Sequence, residues 1–167
     1  MPRPRKHGVR LQSQTFKTTE RHQFAIRLVA NQQGKSQSTV QEEMIERMAN
    51  ELTLSRRWDD LWDEEESVRI LNCFALPEYR ASEKATRMKG RALTEKQVRA
   101  FVIAHAPFFY ADKARTTPKR KFAVVLWPHV EELAQAWHEN RDEDYYIAAK
   151  QMTAILKKAK LEPPEFG

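Results

Sequence analysis

Glycine is scarce in this sequence. Four occur in 167 residues, so the chain is a poor candidate for glycine-rich phosphate loops or dinucleotide-binding turns. Its few glycines act as punctuation, and Gly34 is the most telling. Before it, Glu20 to Gln33 sets Ile26, Val29 and Ala30 on one helical face, with Phe24 and Leu28 beside it. Thr19 is placed to cap this helix, and Gly34 stands where a left-handed C-cap is expected. After the turn Lys35-Ser36-Gln37, Ser38 is expected to cap a second helix, with Gln41 at capping-box spacing. Val40, Met44, Ile45 and Met48 form its apolar stripe. Ahead of Thr19, residues 10–17 show no helical period and predict a short strand. Residues 1–8, with two prolines and three basic side chains, read as a flexible basic arm.

Charge divides the chain. Residues 1–50 hold 9 basic and 4 acidic side chains, and residues 51–80 hold 4 and 8. Residues 81–125 hold 11 and 3, and residues 126–167 hold 5 and 8, for a formal total of +6. Basic blocks separated by an acidic one suit a polyanion-binding protein, although solvated faces produce the same totals. The single cysteine, Cys73, excludes an internal disulfide and a cysteine-rich zinc site. No apolar run of about 18 residues is present. The opening residues lack the apolar stretch of a secretory signal, so the expected setting is cytoplasmic.

Beyond residue 53 the pattern predicts a helical C-terminal domain. Ser55 to about Ala75 reads as one helix, with Trp58, Leu61, Trp62, Val68 and Leu71 on one face, stopped by Pro77. Residues 82–89 read as a short basic helix. Thr94 and Gln97 form a capping-box pattern opening a helix through Phe101 to Pro107. Residues 111–121 read as a basic loop, and Phe122 to Trp127 as a strand or buried turn. Pro128 suits the start of a helix reaching Asn140, and Asp142 or Asp144 the start of the last. Pro163-Pro164 ends it.

The short polar segment before Thr19, the helix Glu20–Gln33 and the run Gly34-Lys35-Ser36-Gln37-Ser38 into Thr39-Val40 carry a resemblance. Residues 9–50 resemble the ribbon-helix-helix family of DNA-binding proteins, the MetJ/Arc-type repressors. The resemblance implies three regions: an arm over residues 1–8, a DNA-binding domain over 9–52 and a helical extension over 53–167. It also implies an obligate homodimer. One strand and two short helices bury too little apolar surface alone, and two copies solve this by pairing strands and interlocking helices. The paired strands would form a ribbon that fits the major groove of duplex DNA.

Register decides which side chains would read bases. Phe16, the large apolar residue nearest the cap, faces inward in the first register, which turns Ser13, Thr15 and Lys17 to the groove. That register also places Gln12 and Gln14 inward, where the family normally carries apolar residues. In the alternative register Gln12 and Gln14 read bases, and Leu11 and Thr15 are buried. Phosphate contacts implied by the resemblance fall to Ser36, Gln37 and Ser38 at the second helix start, with Lys35 adding charge. The arm residues Arg3, Arg5, Lys6 and Arg10 are candidates for backbone or minor-groove contact. The implied uses are transcriptional repression, plasmid partition or relaxosome assembly, with no cofactor, no metal and no catalysis.

Other clusters carry weaker readings. Lys113, Arg115, Lys119, Arg120 and Lys121, flanked by Phe108, Phe109 and Tyr110, form a candidate second DNA contact, by stacking if the aromatics are exposed. The Trp58–Leu71 stretch is a candidate protein-partner surface, which would suit a helical adaptor with incidental basic charge. His129 and Glu132 lie three residues apart with His138 and Glu139 beyond, the one arrangement that would suit a nucleic-acid-processing enzyme or a metal. No nucleophile elbow, Walker loop or kinase signature is present.

Overall fold

The computed structural model describes residues 18–83, 85–88 and 91–166, with backbone alone at 85–88, 91 and 92. The chain divides into two compact units, Met1–Leu52 and Thr53–Gly167. Both are mainly helical, and among the described residues no helix is long and apolar enough to cross a membrane.

The first unit is a helical hairpin. Helix α1 spans Glu20–Gln33 and α2 spans Gln37–Asn50. Thr19, with extended backbone, accepts a hydrogen bond from the His22 N–H through its side chain. Gly34 ends α1 at φ 62°, the left-handed region that glycine enters without steric cost, and the Lys35 N–H returns to the Ala30 carbonyl. The second cap falls two residues earlier than the sequence suggested. Ser36, not Ser38, is the N-cap, and its Oγ accepts from the Thr39 N–H at 3.1 Å. Serine at 36 has the extended backbone a cap needs, whereas Ser38 is already helical.

The second unit holds α3 (Trp58–Leu61), α4 (Glu66–Phe74), β1 (Ala85–Met88), β2 (Arg91–Thr94), α5 (Glu95–Ala104), α6 (Ala106–Phe109), α7 (Arg120–Leu126), α8 (Val130–Asn140) and α9 (Ile147–Lys158). A 3₁₀ turn over Trp127–His129 joins α7 to α8. The core is aromatic and aliphatic: Phe74, Phe101, Phe108, Phe109, Leu126, Met152 and Leu156 are essentially inaccessible. The Tyr110 hydroxyl reaches into this core and donates to the Leu71 carbonyl at 2.7 Å.

Several boundaries differ from the sequence reading. The helix expected to reach Pro107 stops at Ala104, and Pro128 lies in the 3₁₀ turn, so that α8 starts at Val130. The last helix is Ile147–Lys158 and neither starts at Asp142 or Asp144 nor reaches Pro163, and Arg120 and Lys121 of the expected basic loop open α7. Three elements differ in kind. The expected helix over 55–75 is two helices separated at Trp62, whose backbone is extended. The Asp63 side chain accepts from the Glu65 N–H at 2.8 Å, and the acidic run opens a new helix where carboxylates favour the positive N-terminal end. The basic stretch over 82–89, read as a short helix, instead contributes strand β1, which pairs antiparallel with β2, Ala85 opposite Thr94 and Met88 opposite Arg91. Phe122 to Trp127 is neither strand nor buried turn but helix and 3₁₀ turn, because Ala123 and Leu126 meet the core at helical spacing.

Candidate nucleic-acid interface

The strand expected over residues 10–17 lies outside the described residues, and with it Ser13, Thr15, Lys17, Gln12, Gln14 and the arm residues Arg3, Arg5, Lys6 and Arg10. What is described is the hairpin that would support such a strand. Its interior is small. Among the described residues of this unit, Ala30 and Val40 are the buried ones, where α1 meets α2. Its large apolar side chains lie outside. Phe24 is 65% exposed, Met48 66% and Ile45 56%; Leu28, Val29, Met44 and Leu52 are also open. Phe24 and Leu28 share one face of α1, four residues apart, and Met44 and Met48 do the same on α2.

The start of α2 has the chemistry of an anion site. Ser36 serves the Thr39 N–H, and its Oγ lies 2.8 Å from the Thr39 hydroxyl. The Gln37 and Ser38 N–H groups, in the first helical turn, have no partner among the described residues. They point out of the helix end that carries partial positive charge. Lys35 is less available than its place in the turn suggested, because its Nζ is paired with Glu43 at 2.8 Å.

The basic loop is more constrained than a free patch. Asp112 holds it together, accepting from the Thr116 hydroxyl and N–H and from the Thr117 N–H, and these bonds keep its carboxyl below the usual range. Lys119 donates to the Pro107 carbonyl at 2.8 Å and lies over the Phe122 ring. Arg120 makes two bonds to the Asp63 carboxylate, at 2.7 and 2.8 Å. Burial acts to raise the Asp63 pKa, but the Glu65 N–H and Arg120 outweigh it and hold the carboxyl low. Arg115 takes a positive φ of 60°. Lys113 and Lys121 are exposed. Phe108, Phe109 and Tyr110 are buried in the core, so the aromatic stacking surface envisaged beside this loop does not exist.

The other candidate residues separate. His129 and Glu132 line a groove between α8 and α9 with Gln151 and Asn140. His138 is elsewhere employed: its Nε2 meets the Gln97 carbonyl at 3.0 Å, so that nitrogen carries the proton in this bond. Among the described residues no three metal-ligating side chains converge. The Trp58–Leu71 stretch is not one face. Leu61, Val68 and Leu71 are buried, while Trp62 is 58% exposed and carries the Arg69 guanidinium over its ring.

Two features escaped the sequence reading. Arg99 donates to the carbonyls of Phe74, Leu76 and Tyr79, closing the end of α4. His105 is 5% exposed among Phe101, Trp137 and Tyr145, with its Nδ1 donating to the Phe101 carbonyl. Burial lowers its pKa, against the opposing effect of that bond. Its position four residues after Phe101, on the apolar face of α5, was the available signal. Comparison with family models, curated proteins and solved structures returns no match to this chain.

Proposed function

We propose that the protein is a homodimeric, sequence-specific duplex-DNA-binding protein of ribbon-helix-helix type, serving as a repressor or as an organising factor on a mobile element. The observation that carries this reading is the inverted hairpin of residues 19–52, with small side chains inside and large apolar ones outside. Each large apolar side chain buried in a second copy contributes about 1.5–3 kcal/mol. A second copy is the occupant that suits best, because a two-helix unit with this interior needs a partner to fold and an isologous interface supplies the same apolar patch twice. Pairing the two segments before Thr19 would then form the ribbon. Ser13, Thr15 and Lys17 would read bases in the favoured register, or Gln12 and Gln14 in the other. The Gln37 and Ser38 N–H groups would seat a phosphate, with Lys35, released from Glu43, adding charge. Arg3, Arg5, Lys6 and Arg10 would follow the backbone. Lys113 and Lys121 remain candidates for a weaker, sequence-independent contact.

Selection of bound duplexes from a random pool, followed by footprinting, tests the reading. The expected result is an enriched site with two related half-sites, and log K falling with log salt by about 0.9 per phosphate contacted. Lys17→Ala should relax base preference, while Lys35→Ala should weaken all duplexes alike. A monomeric chain that enriches no duplex at low salt overturns it.

A further inference from the structure

The second unit carries a groove of about 850 Å³ that the DNA reading does not use. One wall is a single stripe of α4, Glu66, Arg69, Ile70, Cys73 and Phe74, spaced so that all five share a helical face. The facing wall is the 3₁₀ turn and the start of α8, with Trp127, Pro128, Val130, Glu131 and Glu132, and Leu93 and Val98 also line the groove. The lining is mostly apolar, and it includes the exposed carboxylates of Glu66 and Glu132 and the half-buried one of Glu131. Four carboxylates meet one guanidinium among the lining residues. Arg69 is committed to its own chain, donating to the Asp63 and Glu64 carbonyls and covering Trp62. Glu95 accepts from the Tyr79 hydroxyl and the Ser82 N–H. The side chains of Glu66, Glu131 and Glu132 make no hydrogen bond or ion pair with any described residue.

An apolar trough edged by three unmatched carboxylates is complementary to a segment with apolar anchors on one face and lysine or arginine along the flanks. We infer that this groove docks a basic amphipathic segment of a partner protein, in the helix-in-groove manner. The apolar anchors supply the affinity, and the flanking cations select against acidic competitors. The site lies wholly within Thr53–Gly167, so it stands or falls apart from the DNA reading.

Cys73, the chain's single cysteine, lines the groove and is a built-in reporter. Burial and the Glu95 charge raise its pKa, so alkylation is best followed at mildly alkaline pH. The probes are two 18-residue synthetic amphipathic peptides with the same leucine face, one flanked by lysine and one by glutamate. On the full-length protein, the leucine–lysine peptide should bind and slow Cys73 alkylation at least fivefold, and the leucine–glutamate peptide should do neither. Replacing two rim charges, Glu131→Gln with Glu132→Gln, should weaken the leucine–lysine peptide roughly fivefold. Asp60→Asn with Glu64→Gln, which remove charge outside the groove, should leave its affinity within about twofold. All four positions lie at or near the surface, so the variants should fold. Absence of Cys73 protection, equal protection by the two peptides, or equal weakening by the two double variants overturns the assignment.

Discussion

The two units handle the same material in opposite ways. In Thr53–Gly167, Phe74, Phe101, Phe108 and Phe109 are sealed inside by helices that surround them. In the hairpin of residues 19–52, Ala30 and Val40 are inside, and Phe24, Leu28, Met44, Ile45 and Met48 are outside. Helix content and helix length do not separate these cases, since α1 and α2 are the longest helices described. Number of layers does. A hairpin has one helix pair and one seam, so each helix covers only a narrow stripe of the other. The larger unit closes its core from several directions. The contrast teaches that an amphipathic helix can be well formed and still leave most of its apolar face open within its own unit.

The largest way to break the contrast is within the sealed core. Phe101→Ala should cost about 3–5 kcal/mol of stability, seen as a lowered denaturant midpoint that does not depend on protein concentration. On the hairpin the outcome should invert. Ile45→Lys would be worth under about 0.5 kcal/mol on a solvated surface. If Ile45 is covered by a second copy, the cost should be about 2–3 kcal/mol, it should grow on dilution, and duplex binding should go with it. Sedimentation velocity with chemical denaturation at two concentrations separates these outcomes.

A third test sharpens the comparison through pH. His105 is held neutral, with a folded-state pKa below its unfolded value, so the folded chain binds fewer protons. Its stabilisation is complete above the unfolded value of about 6.5 and is lost as pH falls below that, by at most about 1.4 kcal/mol per pH unit. The wild type should therefore lose more stability than His105→Gln between pH 6.5 and 5, with the difference absent at pH 8. The smallest effect belongs to the turn. Gly34→Ala should cost about 1–2 kcal/mol by forcing a side chain into left-handed backbone, although open space surrounds the added carbon, and Gly34→Asn should cost less. Thermal melts of the two variants rank them.

How much of this was legible depended on whether the signal was local. Thr19 and Gly34 bracket α1 as read, and the Thr94–Gln97 box, with both reciprocal bonds formed, opens α5 as read. These are contacts within one turn, and residue type alone carries them. The misread elements needed tertiary information. The 55–75 stretch has helical spacing throughout, but Leu61 accepts the Asn72 side-chain amide, and α3 and α4 meet across a break. The basic composition of Ala85–Met88 and Arg91–Thr94 hides their pairing, and in the sequence Gly90 between two short segments is the cue for it. The candidate site divides the same way. The caps around α2 were within reach to two residues, whereas the α4–α8 groove joins positions some sixty residues apart and had no local signature.

Arg99 has a consequence for that groove. Its Nε, Nη1 and Nη2 each hold a separate carbonyl, at 3.0, 3.0 and 2.7 Å, so one planar fork rivets the end of α4 to α5. Lysine has no such fork and would leave carbonyls of the helix terminus to compete for water. With α4 tied to α5 in this way, a segment docking in the trough as proposed should bear the ordering cost of one molecule instead of two.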